Sequence, residues 1–346
     1  MRKLVTVRVV DAIEPIVGAD AIECALVEGW TVVIKKGEFA AGDRCVFFEI
    51  DSFLPLADPR YEFLAKNAIT WNERYGVRLR TIKLRGQISQ GLILPLSLFP
   101  EIDATVLADP QLRQRDWTTA LGIDKWEPSI PASLSGDIEG AFPSFIAKTD
   151  QERIQNLPEL LAGDDEARFE VTLKLDGSSM TVFHRDAVTG ICGRNWQLSE
   201  TTNNTLWRVA REDRLLEALA ALGRNIALQG ELVGEGIQGN PEKLRGHQFH
   251  LFDVFDIDRS EYCGVEERMA LVEALRAAGA SLRTVPALEV TSLQRFGGSM
   301  SAILAYAEGP SLNPDTAREG VVFKRLDGKL SFKAISNRYL LKHSDR

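Results

Sequence analysis

Residues 174–179 read KLDGSS and place a lysine and an aspartate two positions apart, directly before a predicted glycine turn. Side chains alternate between the faces of a strand, so Lys174 and Asp176 share one face of the strand predicted for residues 169–176. Only the neutral amine of a lysine attacks phosphorus, and a free lysine with a pKa near 10.4 is neutral in roughly one molecule in a few thousand at pH 7. The pattern therefore indicates a nucleophilic lysine whose protonation depends on its neighbours.

Polar side chains share a face on other predicted strands of the C-terminal half. Glu231 lies on the polar face of residues 226–232, and Lys333 on that of residues 329–335. In residues 249–257 the alternation puts one ring, Phe252, on the polar face. The residues assigned to the core face of that strand are Phe249, Leu251, Phe255 and Ile257, with Asp253 as an exception. One shared cleft explains this pattern, and it suits a nucleotide, with the base on the ring, phosphates on the lysines and a metal on the acids.

The acidic residues near the lysine have a consequence for metal binding. Carboxylates at Asp176 and Glu231 would raise the pKa of Lys174, because they favour the charged ammonium. A divalent cation between them would reverse this local field. The sequence therefore predicts Mg²⁺ or Mn²⁺ beside the lysine.

The composition is that of an ordinary globular protein. The chain has 346 residues, 45% apolar and 26% charged, which is enough for two domains. The charged, short apolar stretch at the N-terminus does not fit a signal peptide, and no apolar run is long enough for a transmembrane helix. The four cysteines form no CxxC pair, so we expect reduced thiols in a cytoplasmic protein without a zinc site.

The net charge of −8 argues against a protein whose whole surface is basic and binds nucleic acid. One stretch of the sequence is nevertheless strongly basic. Residues 74–86 contain no acid and carry Arg78, Arg80, Lys83 and Arg85 as candidate RNA-binding residues. A solvated strand face and a phosphate-binding surface both fit this stretch. Strand alternation puts Arg78 and Arg80 on the same side.

The order of predicted elements indicates an α+β protein with an N-terminal barrel. Short strands are predicted at 3–10, 30–36, 44–50, 76–84 and 90–96, which suggests an OB-like barrel. Residues 126–144 are rich in Pro, Ser and Gly and are the expected linker. Beyond it, helices predicted at 206–223, 266–279 and 301–310 alternate with strands. The expected domains are 1–125 and 145–346.

Other motifs carry weaker signals. GEGIQG at 234–239 matches a dinucleotide-binding pattern, but the following residues contain Pro241 and Gly246 and do not predict a helix. We therefore expect a hairpin loop there. The four histidines show no HxxxH spacing, and no GxSxG frame surrounds Ser178 and Ser179, which argues against a zinc or serine-nucleophile site.

The motifs together resemble those of covalent nucleotidyltransferases, the ATP-dependent DNA and RNA ligases and mRNA capping enzymes. The ordered set comprises KLDG at 174–177, GRN at 193–195, LQGELVGEG at 228–236, HLFDVFD at 250–256, REGVVFK at 318–324 and LSFKAIS at 330–336. An OB domain before the nucleotidyltransferase domain resembles RNA ligases of the Deinococcus and Naegleria type. In DNA ligases and capping enzymes the OB domain follows, and the few residues after LSFKAIS leave no room for one. The resemblance implies a nucleotidyltransferase domain with antiparallel sheets, of ATP-grasp-like build.

The resemblance also implies a role for each matched residue. Lys174 resembles the nucleophile that forms lysyl–AMP, and Phe252 the ring that stacks on adenine. Asp176, Glu231 and Glu319 resemble carboxylates that hold a metal through water, and Glu231 also contacts the ribose. The other residues implied in nucleotide binding are Lys148, Arg153, Gly177, Arg194 and Lys333. Where the family often carries a second basic residue in its last motif, this chain has Ser331.

The function implied is an ATP-dependent RNA ligase that seals 3′-hydroxyl and 5′-phosphate RNA ends in RNA repair, with ATP and Mg²⁺ or Mn²⁺ as cofactors and RNA as the partner. Two alternatives stay open at this point. One is a DNA ligase or a capping-type nucleotidyltransferase, against which the domain order argues. The other is a non-catalytic OB-fold protein that binds nucleic acid, which would leave the charged motifs unexplained.

Overall fold

The computed structural model describes residues 3–102, 115–127, 138–162, 166–201 and 203–343. The chain forms two compact units, Met1–Ser129 with Leu340–Arg346, and Ile130–Tyr339. Part of the expected linker, residues 128–137, lies outside the described residues, and Ile138–Ala141 within it is a strand. The domain limits expected from the sequence stay a prediction. No helix in the described ranges is long and apolar enough to cross a membrane.

The first unit consists of short strands in small antiparallel sheets. Their bounds are β1 Val5–Val9, β2 Ala12–Pro15, β3 Ile22–Val27, β4 Trp30–Lys35, β5 Arg44–Phe48, β6 Ser52–Pro55, β7 Ile69–Trp71, β8 Arg74–Arg78, β9 Thr81–Leu84, β10 Gln87–Gln90, β11 Leu92–Pro95 and β12 Asp124–Lys125. In the described ranges the sheet orders are β1-β5-β11, β2-β3-β4, β9-β10 and β12-β6-β8-β7. The alternating apolar residues of these strands bury Trp30, Phe47, Phe48 and Phe53 completely.

The strand predicted for residues 76–84 is divided in the structure. Strand β8 ends at Arg78 and β9 begins at Thr81, and the two strands belong to different sheets. Between them, Leu79 exchanges backbone hydrogen bonds with Asp51 and Ser52. Strands β9 and β10 then form a hairpin whose two turn residues, Arg85 and Gly86, both have positive φ, which is the geometry of a type I′ turn.

The second unit is built on two larger sheets. The remaining strands are β13 Ile138–Ala141, β14 Glu152–Arg153, β15 Arg168–Lys174, β16 Ser178–Arg185, β17 Val188–Cys192, β18 Trp196–Leu198, β19 Ile226–Gly234, β20 His247–Asp256, β21 Glu261–Tyr262, β22 Arg283–Thr284, β23 Ala287–Ser292, β24 Gly320–Arg325 and β25 Ser331–Ile335. As far as the structure describes the unit, one sheet has the order β13-β18-β17-β16-β19-β20-β21, with β22 paired to β20. The other has the order β14-β25-β24-β15-β23. All pairings are antiparallel except β14–β25 and β20–β22.

The helices are short. They are α1 Glu159–Ala162, α2 Thr205–Glu212, α3 Leu215–Leu222, α4 Val265–Ala277, α5 Met300–Tyr306 and α6 Asn337–Lys342. Single 3-10 segments span Pro59–Asn67, Leu96–Leu98, Ile154–Asn156 and Leu293–Phe296. The helix predicted for residues 206–223 is two helices, because Arg214 adopts a left-handed conformation with φ 56° between them. Helices α4 and α5 confirm the predictions for 266–279 and 301–310.

A β-bulge in β20 overturns the predicted phase of that strand. The pairing with β19 runs from Gln229–Asp253 directly to Gly230–Leu251, so Phe252 has no partner residue in the ladder. Because the bulge reverses the alternation, Phe249, Leu251 and Val254 join one apolar core. Phe255 and Ile257 join the core on the opposite face. The prediction that these four apolar residues share one face was therefore wrong.

Candidate nucleotide site

Lys174 and Glu319 form the centre of the site through strand register. Lys174 ends β15 and pairs with Gly320 at the start of β24, which puts Glu319 beside it. The Lys174 Nζ donates to Glu319 Oε2 at 2.7 Å. Hydrogen bonds hold the backbone around Glu319. The Glu319 carbonyl accepts from the Ser336 amide at 2.8 Å. The buried Arg318 guanidinium donates to the carbonyls of Tyr306, Ala307 and Glu308 at the end of α5.

Gly177 allows the nucleophile loop to approach the neighbouring sheet. A Cβ at Gly177 would lie 2.4 Å from the carbonyl oxygen of Leu232, closer than real Cβ atoms come. The Gly177 amide instead donates to Glu231 Oε1 at 3.1 Å. This contact joins the lysine-bearing loop to β19. The glycine in KLDG is therefore required for the close packing of this loop on β19.

Three carboxylates govern the electrostatics around Lys174. Burial lowers the pKa of Lys174, but Glu319, Glu231 and Asp176 together outweigh burial, so its pKa lies above the ordinary value. Burial raises the pKa of Glu231 to about 7, with Glu319 and Asp176 adding to the increase and Lys174 opposing it. The lysine is therefore held in its charged form, as the sequence predicted for a site without a cation.

Two further cations share one carboxylate. Arg194 NH2 lies 3.7 Å, and Lys333 Nζ 3.6 Å, from Asp150 Oδ1. Arg194 also lowers the pKa of Glu231, which places it in the same electrostatic environment. The sequence did not single out Asp150, although it lies in the KTDQER segment between Lys148 and Arg153. The arrangement supplies two positive groups of the kind that bind phosphate.

The remaining predicted cations lie beside these residues. Lys148 Nζ donates to Asn195 Oδ1 at 3.1 Å, next to Arg194 in the chain. It also lies 5.6 Å from the centre of the Phe142 ring. Arg153 is buried and pairs with Lys333 in the parallel β14–β25 register. The contacts of Lys148 and Arg153 with a nucleotide stay predictions.

Phe252 is half-buried in a small apolar cluster. Its neighbours in the cluster are Leu173, Leu175, Val233, Leu244, Val285 and Leu312. Lys324 holds the bulge, since its Nζ donates to the Phe252 carbonyl and, at 2.6 Å, to Asp253 Oδ1. The Lys324 Nζ also lies 5.2 Å from the Phe252 ring centre. A ring fixed in this way presents a flat surface of the kind on which a purine stacks.

A buried charge network underlies this bulge. Arg268 of α4 pairs with Glu170 of β15, and its other nitrogen lies 3.8 Å from Asp253 Oδ1. Glu170, Asp253, Arg268 and Lys324 are each at most 7% exposed. The alternation that predicts a polar face for Lys174 puts Glu170 on the same face, toward water or a ligand, and the structure instead buries Glu170 in an ion pair. Alternation identified its face but could not identify its partner, which is 98 residues away.

The basic stretch of the first unit divides into paired and exposed residues. Arg78 NH2 lies 2.9 Å from Asp51 Oδ1, and its guanidinium carbon lies 3.6 Å from the Trp126 ring centre. Arg74 pairs with Asp124. Lys83 and Arg85, in contrast, are exposed on the β9–β10 hairpin, and Arg80 is half-buried. The hairpin therefore offers the more accessible cations.

The carboxylates around Lys174 are not arranged to coordinate one metal ion directly. Among the residues that the structure describes, no three Asp, Glu, His or Cys side chains are placed to bind one ion directly. Asp176, Glu231 and Glu319 nevertheless surround Lys174 closely enough to change its pKa. Oxygen ligands of this kind suit Mg²⁺ or Mn²⁺ held partly through water. Binding through water stays a prediction.

Two models of known protein families match this chain. A family model described as an OB-fold domain matches residues 4–96, and one described as RNA ligase matches residues 167–341. A search of curated protein sequences found no match. These models confirm the predicted fold class, an OB domain followed by a nucleotidyltransferase domain.

Solved structures of Naegleria gruberi RNA ligase are similar over the whole chain. A variant with AMP and manganese and the protein with pyrophosphate each share 54% identity, cover 100% of both chains and have a TM-score of 0.92. A lysine-to-alanine variant with ATP and manganese shares 54% identity over 99% of this chain and 100% of that chain, also with a TM-score of 0.92.

Proposed function

This chain belongs to the RNA ligase family and is an ATP-dependent RNA ligase, and from this premise we propose that it joins 3′-hydroxyl and 5′-phosphate RNA ends through AMP carried on Lys174. The observation that carries the assignment is the position of Lys174 at 2.7 Å from Glu319, with Glu231 and Asp176 close enough to affect its pKa. The structures of N. gruberi RNA ligase with ATP, AMP and manganese support the same chemistry.

The first step transfers AMP from ATP to Lys174. The neutral Nζ attacks the α-phosphorus, a P–N bond forms, the bond to the bridging oxygen breaks, and pyrophosphate leaves. Nζ loses one proton before the attack and a second as the phosphoramidate forms. Glu319 Oε2, which already accepts a hydrogen bond from Nζ, is positioned to take a proton.

The neighbouring residues would orient ATP for this attack. Phe252 would stack on adenine, and Glu231 would accept from the ribose hydroxyls. Arg194 and Lys333 would exchange their shared Asp150 carboxylate for the phosphates, since a phosphate offers stronger charge-assisted bonds. Lys148 and Arg153 would add positive charge on the same side. Such orientation is the main contribution a protein makes to phosphoryl and nucleotidyl transfer.

A divalent cation fits the donors around the lysine. Asp176, Glu231 and Glu319 would hold Mg²⁺ or Mn²⁺, partly through water. The ion would favour the neutral amine and offset negative charge on the α-phosphate. The raised pKa of Lys174 shows why the three carboxylates by themselves do not suit the reaction.

Two later steps use the activated AMP. An oxygen of the RNA 5′-phosphate attacks the AMP phosphorus, and the P–N bond breaks as Nζ leaves and takes up a proton. The 3′-hydroxyl then loses its proton as its oxygen attacks the 5′-phosphorus, the bond from that phosphorus to the AMP oxygen breaks, and AMP leaves as the phosphodiester forms. We propose RNA repair in the cytoplasm as the setting and nick sealing as the use of this reaction.

The experiment that tests the proposal is intact mass after incubation with ATP and Mg²⁺ or Mn²⁺, followed by sealing of nicked duplexes. The protein should gain one AMP, and Lys174→Ala and Lys174→Arg should gain none. Lys329→Ala, which changes an exposed lysine of the same unit, should behave as wild type. An adduct on Lys174→Ala would remove Lys174 from the role. Equal sealing with a DNA and an RNA 3′-hydroxyl strand would favour a DNA ligase instead.

A further inference from the structure

Two loops of the second unit are fastened together beside Phe252. One loop, residues 235–246, connects β19 to β20 and contains most of the GEGIQG motif, which fits no dinucleotide site. The other, residues 310–317, directly precedes Arg318 and Glu319. The pairing of β19 with β20 confirms the predicted hairpin. We refer to the two loops together as the loop clamp.

A buried carboxylate joins the two loops. Glu242 is 5% exposed, and its side chain accepts from the Ser311 hydroxyl and, at 2.8 Å, from the Asn313 amide. The Pro241 carbonyl accepts from Thr316 Oγ1 at 2.8 Å and from Asn313 Nδ2 at 3.3 Å. A buried carboxylate needs such donors to offset its desolvation, so the contact sets the position of both loops.

The loop clamp also contributes two apolar side chains to the cluster that contains Phe252. Leu244 from the first loop and Leu312 from the second pack in the same cluster as Phe252. The backbone of Leu244 is bracketed by Asn240, which donates to its carbonyl at 2.9 Å and accepts from its amide at 3.0 Å. The position of Leu312 follows from its neighbours Ser311 and Asn313.

The first loop contacts the segment that follows Lys174, and the second directly precedes the segment that carries Glu319. Gln238 Nε2 donates to the carbonyl of Gly177 at 3.4 Å, three residues after Lys174. The second loop closes with a bridge between Pro310 and Ala317, next to the anchored Arg318. The clamp is therefore connected to the ring, to the nucleophile loop and to the segment that carries Glu319.

From this geometry we infer that the loop clamp fixes the purine-binding surface of Phe252, and that Glu242 is the positioning residue which closes it. The inference rests on the proposed function, because it assigns a role in binding the nucleotide that modifies Lys174. In the proposed arrangement Glu242 contacts neither the nucleotide nor Lys174. It positions Leu244 and Leu312, and through them Phe252. Loosening the clamp weakens nucleotide binding and leaves the bond-forming groups in place.

The test is the ATP dependence of adenylylation, measured on the full-length chain by intact mass. Glu242→Ala removes the acceptor for both loop donors, and we expect the KM for ATP to rise about tenfold while kcat changes less than about threefold. Glu242→Gln should stay near wild type, because its oxygen accepts from the Asn313 amide while its NH₂ donates to the Ser311 hydroxyl. Glu217→Ala, at an exposed position on α3, is the matched control.

A merely structural role predicts a different result. Loss of folded protein lowers the amount of adduct but leaves the KM of the remaining folded molecules unchanged. An unchanged KM in Glu242→Ala would therefore overturn the inference. Should Glu242→Ala not fold, Thr316→Val removes only the hydroxyl that donates to Pro241, and it should raise the KM about twofold to fivefold; an unchanged KM there would also overturn the inference. Absence of any adduct on the wild type would instead overturn the proposed function.

Discussion

Phe252 owes its position to one extra residue in a strand. The bulge removes it from the ladder with β19, and Lys324 donates to its carbonyl. The ring is half-buried, whereas its neighbours in the strand, Leu251 and Asp253, are buried.

The first prediction concerns stacking on this ring. Phe252→Ala should raise the ATP concentration for half-maximal adenylylation about tenfold or more, because base–aromatic stacking contributes about 1–3 kcal/mol per base. Phe252→Tyr and Phe252→Trp should remain close to wild type. Titration of ATP with intact-mass readout measures this effect. An Ala variant with the wild-type ATP dependence would show that the ring serves only packing.

The second prediction concerns the proton on Lys174. Without a metal ion the surrounding carboxylates raise the pKa of Lys174 and favour the ammonium. A bound cation would oppose this effect, and in either case the neutral fraction grows as the pH rises toward the pKa. The rate of adenylylation at saturating ATP and metal should therefore rise with pH, by up to about tenfold per unit below the pKa. Single-turnover rates between pH 6 and 9 test this. A rate that falls with pH in this range would contradict the assignment of Lys174 as a nucleophile limited by its proton.

At the scale of elements, the sheets of the second unit are joined by buried charges. Lys324 of β24 contacts β20, and Arg268 of α4 contacts Glu170 of β15. Removing one member of such a network leaves the opposite charge buried without its partner, which is costlier than removing both. The network is thus expected to determine how β20 sits against β24.

The third prediction follows from that cost. Lys324→Met should lower the free energy of unfolding by about 3–5 kcal/mol, because it leaves the Asp253 carboxylate beside an apolar group. Lys329→Met, at an exposed position after the same strand, should change it by less than about 0.5 kcal/mol. Denaturant unfolding of the purified variants measures both values. Equal stability of the two variants would show that the buried network contributes little.

The fourth prediction concerns the β9–β10 hairpin of the first unit. Arg78 already forms an ion pair with Asp51 and stacks on Trp126. Lys83 and Arg85 are therefore the better pair to test for RNA binding. Lys83→Gln with Arg85→Asn should reduce the slope of log affinity against log salt by about 1.4–1.8, if each cation binds one phosphate. Asparagine tolerates the positive φ of residue 85.

The control for the hairpin is a change of equal charge elsewhere in the unit. Lys35→Gln with Lys36→Gln alters two exposed lysines and should leave the salt slope unchanged. If the hairpin variant keeps the wild-type slope but forms lysyl–AMP more slowly, the stretch orients pyrophosphate instead. If neither quantity changes, the stretch is a solvated strand face.

At the scale of the whole molecule, both units bury their thiols. Cys24 and Cys45 lie in the first unit and Cys192 and Cys263 in the second, and each is at most 3% exposed. Burial is the largest cause of the raised thiol pKa values, about 11 for Cys24 and Cys263 and about 12 for Cys45 and Cys192. Thiolate, the reactive form, is therefore scarce at neutral pH.

The fifth prediction tests this property across the chain. In native protein at pH 8, iodoacetamide should modify none of the four cysteines within an hour, whereas all four should react in denaturant. Intact mass counts the additions. Rapid modification of a single cysteine in the native protein would locate a part of the structure that opens readily, and it would contradict the burial of that thiol.

The sequence by itself determined the features that depend on local pattern. Alternation with a period of two put Lys174 on the polar face of one strand, Glu231 on that of another and Lys333 on that of a third. The predicted strand 169–176 ends at Lys174, so Asp176 follows the strand and does not share its face. The turn residues and motif order predicted the two-domain organisation and the hairpin at GEGIQG. These signals are readable because each depends on residues a few positions apart.

Only the tertiary structure decided which charges meet. Lys174 and Glu319 are 145 residues apart, and Glu170 and Arg268 are 98 apart. Asp150 lies near Arg194 of the β17–β18 loop and Lys333 of β25. The bulge at Phe252 and the left-handed residue Arg214 likewise interrupt patterns that are continuous in the sequence. The physical reason is that strand register, bulges and ion pairs are selected by packing between distant segments, which a local alternation of apolar and polar residues does not encode.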